Sequence, residues 1–169
     1  AQHVVFAAND PANPPVYYLL SYPAHREFAT TLARSTEATR LDLGSSETCN
    51  ERTIFQYVHE KGVQSCQLVM GLTELKPGSV WNTMPCHTHL RRSEIYLYYD
   101  LDAENQVMHL AGTPDETRAL WIKNRQAALS PSWSVHSGAG TAAYSFIWGM
   151  GGENQSFGDM DVVGIPDLK

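Results

Sequence analysis

One pair of segments narrows what this 169-residue chain can fold into: His87-Thr88-His89-Leu90-Arg91-Arg92-Ser93-Glu94, answered much later by Pro131-Ser132-Trp133-Ser134-Val135-His136. Side chains two apart on an extended segment share a face, so His87 and His89 aim together. The polar turn at Leu90 to Ser93 and the β-rich run Glu94-Ile95-Tyr96-Leu97-Tyr98-Tyr99 then return a carboxylate to the same interior. His136 follows another expected strand and a proline-initiated turn, so only tertiary folding can bring it in. Remote strands that aim side chains at one interior point indicate a barrel.

Three imidazoles and one carboxylate at one point are ligands for a single divalent ion. His87, His89, Glu94 and His136 are therefore the expected metal set. Zinc is the first choice, and residue type leaves iron, manganese, cobalt and nickel open. An isolated histidine is usually a packed or surface side chain; the His-x-His-x4-Glu spacing with a remote histidine is what favours ligation. Cys86, one step before His87 on the same strand, should face away and pack.

Hydrophobic residues make up 43% of the chain and charged ones 18%, a composition that suits one globular domain with a sizeable core. The formal charge is −6, and no basic run exceeds Arg91-Arg92, which argues against nucleic acid as a partner. Three cysteines without paired spacing suit reduced thiols in the cytoplasm. No apolar run approaches the length that spans a bilayer, so no membrane association is expected.

The expected fold class is all-β with little helix. Expected strands are Val4 to Ala8, Val16 to Ser21, Thr53 to Val58, Cys66 to Leu75, Val80 to Met84, Glu94 to Tyr99, Val107 to Leu110, Thr117 to Ile122, Ala127 to Leu129 and Ala142 to Trp148. Turns are expected at Lys76-Pro77-Gly78, Gly112-Thr113-Pro114-Asp115, Lys123-Asn124 and Ser137-Gly138-Ala139-Gly140. Many short strands spaced by such turns make a sandwich or small barrel. A helical turn is expected near Ala29 to Arg34. Residues 22–50 read as a connecting segment, which leaves two strands in residues 1–21 without an evident sheet of their own.

The metal motif resembles the cupin superfamily, whose first motif has His-x-His followed by Glu and whose second has Pro-x-Gly-x2-His. Trp133 stands here where the second motif has glycine. The blocks Gln67 to Leu75, Trp81 to His89, Ser130 to Gly138 and Phe146 to Met150 resemble, more closely, the 5-keto-4-deoxyuronate isomerase family. That resemblance implies a cupin β-barrel of the jelly-roll, double-stranded β-helix type. It also implies a subunit of two cupins with zinc in the C-terminal one, hexameric assembly, and a role in bacterial breakdown of pectin-derived uronates. On this reading residues 1–21 are the last strands of an absent N-terminal barrel and 51–169 form the metal-binding barrel. The family's zinc ligands fall on His87, His89, Glu94 and His136.

The implied reaction is an aldose-to-ketose conversion of a small sugar acid, 5-dehydro-4-deoxy-D-glucuronate, to 3-deoxy-D-glycero-2,5-hexodiulosonate. Four protein ligands around a tetrahedral ion would close the site, so catalysis requires either an expanded coordination shell or a loosened Glu94. Tyr96, Tyr98 and His109 are candidate proton carriers, each with packing as its plain alternative. Arg92, Arg118 and Lys123 are candidates for the substrate carboxylate. Glu153, Asp159 and Asp161 would join the site if the C-terminal segment folds over the barrel mouth. Two other readings stay open: a metal-dependent dioxygenase on the same fold, and a cupin that binds metal or sugar acid without turnover.

Overall fold

The computed structural model describes residues 3–153 and 155–169. Its strands are β1 (Thr39–Leu43), β2 (Arg52–Val58), β3 (Leu68–Leu75), β4 (Trp81–Thr88), β5 (Arg92–Tyr99), β6 (Val107–Thr113), β7 (Glu116–Ile122), β8 (Ala127–Ser130), β9 (His136–Gly140), β10 (Ser145–Gly152) and β11 (Asp161–Val162). They form two antiparallel sheets, ordered β1-β2-β3-β10-β5-β8 and β11-β4-β9-β6-β7. The class is all-β, as expected; the ladders make two facing sheets rather than one hydrogen-bonded cylinder.

Alternation explains how the sheets meet. Along β5, Arg92, Glu94, Tyr96 and Tyr98 are buried while the residues between them are more open. Phe146, Trp148 and Met150 turn inward from neighbouring β10, where Gly149 is also buried. The core is correspondingly aromatic: Tyr96 stacks on Phe146 at 4.7 Å between ring centroids, and Tyr98 meets Tyr144 edge-on at 5.5 Å. Across the sheets, the Tyr98 hydroxyl and Nδ1 of His109 on β6 lie 2.7 Å apart.

The β4–β9 pairing is irregular at a point that matters. Asn82 is opposite Gly138 and His87 is opposite His136, so five steps along β4 match two along β9. The excess is taken up in a bulge that includes Thr83 at φ 51°. Asn82 and His87 can thereby both turn to the interior although an odd number of steps separates them.

Several expectations are corrected. Val4 to Ala8 and Val16 to Ser21 join no ladder, and Ala29 to Arg34 is not helical. The residues around 18–22 lie instead across the outer face of β10, where Leu20 and Tyr18 approach Gly149 and the Tyr22 ring approaches Gly151. β10 is central in its sheet and both its edges are taken, so this segment packs on a face and has no backbone row to join. β1 lies within the segment read as connecting; it pairs along the whole of Arg52–Gln56. Ser137 to Gly140, read as a turn, is most of β9, held between β4 and β6. Its small residues answer crowding, since a Cβ at Gly138 would sit 2.7 Å from Asn82 Nδ2 and 2.9 Å from the Tyr98 hydroxyl. Among the described residues no helix is long and apolar enough to cross a membrane.

Candidate metal centre

β4 delivers His87, with His89 just past its end; β5 delivers Glu94 and β9 delivers His136. All four side chains are buried. One donor atom from each lies within 4.8 Å of the others. His136 Nε2 is 3.1 Å from His87 Nε2 and 2.9 Å from Glu94 Oε2, and His89 Nε2 is 3.1 Å from the same oxygen. Donors bound to one ion at about 2.1 Å are themselves about 3.0 to 3.4 Å apart, whether at right angles or tetrahedral. These three separations fit a shared ion.

The far sides of the rings set the tautomers. His89 Nδ1 donates to the Asp159 carbonyl oxygen, and His136 Nδ1 donates to that of Ser134 at 3.4 Å. A carbonyl only accepts, so the proton sits on Nδ1 and the Nε2 lone pair faces the centre. Burial pushes His87 down to about 3, with the imidazoles of His136 and His89 adding to the effect, so its ring is neutral and ready to ligate at ordinary pH. Burial raises Glu94, and positive charge on the His136 and His89 rings opposes it and draws the carboxyl below the usual range; with the ring lone pairs turned inward, a bound cation would supply that charge instead. Converging lone pairs and a carboxylate repel one another in a buried space; a cation relieves that repulsion.

The cluster forms one wall of a cavity of about 270 Å³. Tyr96, Phe146, Trp148 and Met150 supply apolar surface, and Phe157, Met160 and Val162 of the C-terminal segment cover one side. That segment is fastened directly to the ligand strands. Arg92 donates to the carbonyl oxygens of Ser156 at 2.6 Å and Asp159 at 3.2 Å, β11 pairs with His87 and Thr88, and Val163 N–H donates to Cys86 O.

The remaining sequence candidates divide by position. Tyr96 lines the cavity, its hydroxyl 2.9 Å from Thr83 Oγ1. Tyr98 and His109 lie behind it in a buried network that includes Ser130, 3.4 Å from His109 Nε2. Arg92 lines the cavity; Arg118 is exposed and paired with Glu116, and Lys123 is an exposed residue after β7. Asp159 and Asp161 do sit over the mouth, Asp159 through its backbone carbonyl and Asp161 through its ladder with Thr88. Glu153 is exposed. Cys86 is buried and outside the ligand set. The sequence reading passed over Arg52, which lines the cavity from the start of β2. Alternation with Ile54, which lines the same space, was the signal that could have found it.

Comparison with known proteins places this architecture. The KduI/IolB family model matches residues 2–163. The chain is 53% identical over 169 residues to the 4-deoxy-L-threo-5-hexosulose-uronate ketol-isomerase of Lachnoclostridium phytofermentans, covering 100% of this chain and 61% of that protein. It is 55% identical over 172 residues to the protein of the same name from Kineococcus radiotolerans, covering 100% and 62%. The chain thus spans about three fifths of the length of these curated relatives. Among solved structures, an IolB-like protein from Salmonella typhimurium LT2 superposes with a TM-score of 0.63 at 13% identity, over 76% of this chain and 51% of that one. An oxalate oxidase in complex with glycolate gives 0.54 at 16% identity, over 80% and 63%. These two share the fold. With a family model running over nearly its whole length and relatives identical at about half of its positions, the chain belongs to the KduI/IolB family.

Proposed function

We propose that this chain carries the metal-dependent centre of a ketol-isomerase acting on 4-deoxy-L-threo-5-hexosulose uronate, yielding 3-deoxy-D-glycero-2,5-hexodiulosonate in uronate catabolism. The observation that carries the reading is the three-histidine, one-glutamate cluster opening on a cavity, in a chain about half identical to curated ketol-isomerases. We take the ion to be zinc, held by His87, His89, Glu94 and His136. We take the chain to be the C-terminal cupin of a longer, oligomeric subunit, with residues 1–21 extending from an N-terminal one.

When bound, a divalent ion supplies Lewis acidity that eases removal of a proton from carbon beside a carbonyl. The protein's own groups do the rest. Burial raises Tyr96 well above the ordinary phenol value, so its hydroxyl stays protonated and serves as a hydrogen-bond donor to a substrate oxygen, relayed to Thr83. Trp148, Met150, Phe157 and Met160 exclude water from the reacting carbons.

The test is turnover of the unsaturated-uronate product under anaerobic conditions, by metal-stripped protein with and without added zinc, beside His87→Ala. Zinc-dependent conversion, with a loss of about a hundredfold or more in the variant, is expected on removal of a metal ligand. Equal rates from wild type and variant would overturn the reading, and oxygen consumption in place of isomerisation would move it to dioxygenase chemistry.

A further inference from the structure

We infer that Arg52 is the carboxylate-binding residue of the cavity, the group that selects a sugar acid over a neutral sugar. The inference rests on the ketol-isomerase reading for its substrate class, while the geometry concerns Arg52 itself.

Two guanidinium groups line the cavity, Arg52 and Arg92. Arg92 is committed to structure, donating to the backbone carbonyls of Ser156, Phe157 and Asp159 and standing near Glu94 and Asp159. Arg52 is placed differently. Its Nη1 donates to the Asn50 carbonyl at 2.8 Å, and among the described residues no carboxylate is in ion-pair reach of it. Burial draws its guanidinium down from the ordinary value, and the opposing influences come from the phenols Tyr96 and Tyr144 rather than from an acid. Arginine keeps its charge in a protein, so a half-buried cation without a counter-ion remains beside an apolar cavity.

The surroundings leave that charge available. Leu43, Ile54, Phe146 and Trp148 line the same space and offer no negative group, while Thr73 Oγ1 already accepts from Trp148 Nε1 at 3.1 Å. Glu94 is the carboxylate among the lining residues, and it belongs to the metal cluster. A ligand carboxylate would take the open N–H groups of Arg52 in the forked geometry that guanidinium favours. One molecule with an oxygen-rich end for the metal cluster and a carboxylate for Arg52 would then satisfy both polar features of the cavity, which is the chemistry of a short sugar acid. Arg118 and Lys123 compete poorly, being exposed and outside the cavity.

The experiment titrates D-glucuronate and D-glucose into zinc-loaded wild type, Arg52→Gln and Arg52→Lys, following binding by calorimetry. Wild type should prefer glucuronate by about tenfold to a hundredfold, the range for a charge-assisted bond. Arg52→Gln should lose that preference, and Arg52→Lys should keep part of it. In turnover, Arg52→Gln should raise KM with a much smaller change in kcat, the mark of binding shared by ground and transition states. Thermal melting of the variants identifies loss of fold, in which case Arg52→Lys carries the comparison. Full preference retained in Arg52→Gln, or no preference in wild type, overturns the inference by placing the carboxylate elsewhere. Absence of turnover in wild type with the binding preference intact would overturn the ketol-isomerase reading while leaving the anion subsite standing.

Discussion

His109 shows what a buried titratable side chain does to a fold. Burial pushes it down to about 4 from an ordinary 6.5, because the protonated ring would lose its water; the His136 imidazole adds to the effect and Glu94 offsets only part of it. The unfolded chain therefore binds more protons than the folded one between those values. The neutral ring's contribution is present in full above about pH 6.5 and is lost as pH falls toward about 4. Denaturant titrations across that range should show wild type losing about 3 kcal/mol more stability than His109→Gln. A second side-chain-scale prediction concerns the crowding around β9. Gly138→Ala would force a methyl against Asn82 Nδ2 and the hydroxyls of Tyr98 and Tyr144 at 2.7, 2.9 and 3.0 Å. A cost of about 1 to 3 kcal/mol is expected, read as a lower melting temperature. At this scale the shared facing of His87 and His89 was legible, because i, i+2 geometry needs no knowledge of neighbours. Gly138 was not: glycine and serine in Ser137 to Gly140 signal a turn equally well, and only the packed interior shows that lack of space selected them.

The C-terminal segment is the element that joins the candidate metal cluster to the order of the chain. Arg92 and His89 both bond to the Asp159 carbonyl oxygen, so loosening the segment also loosens the partner that fixes an imidazole. Arg92→Met leaves every metal ligand in place. It should speed hydrogen exchange across residues 155–163 and weaken zinc binding by about tenfold, measured by competition with a chromophoric chelator. Unchanged affinity despite faster exchange would separate the two functions. Strand positions from Thr53 to Trp148 were largely readable by alternation and turn chemistry. β1 and β11 were not, since Thr39–Leu43 is exposed along most of its length and Asp161–Val162 owes its pairing to the strand beside it. The N-terminal residues misled for the opposite reason: strand-forming composition was present, but residues 18–22 lie on the face of central β10, which has no open backbone row to pair with.

At the level of the whole molecule, the candidate metal cluster spans both sheets: His87 and His136 belong to one and Glu94 to the other. An ion bound there favours the folded state by mass action. Chelation should lower the melting temperature by several degrees for excess ligand over its dissociation constant. Glu94→Ala, with its cross-sheet tie removed, should respond far less to the same chelator, which calorimetry can check. The bulge in β4 sets whether that tie can form at all. It reconciles an odd number of steps between Asn82 and His87 with a common inward facing. Without that irregularity plain alternation would put the two on opposite faces, and the cluster would lose its first imidazole.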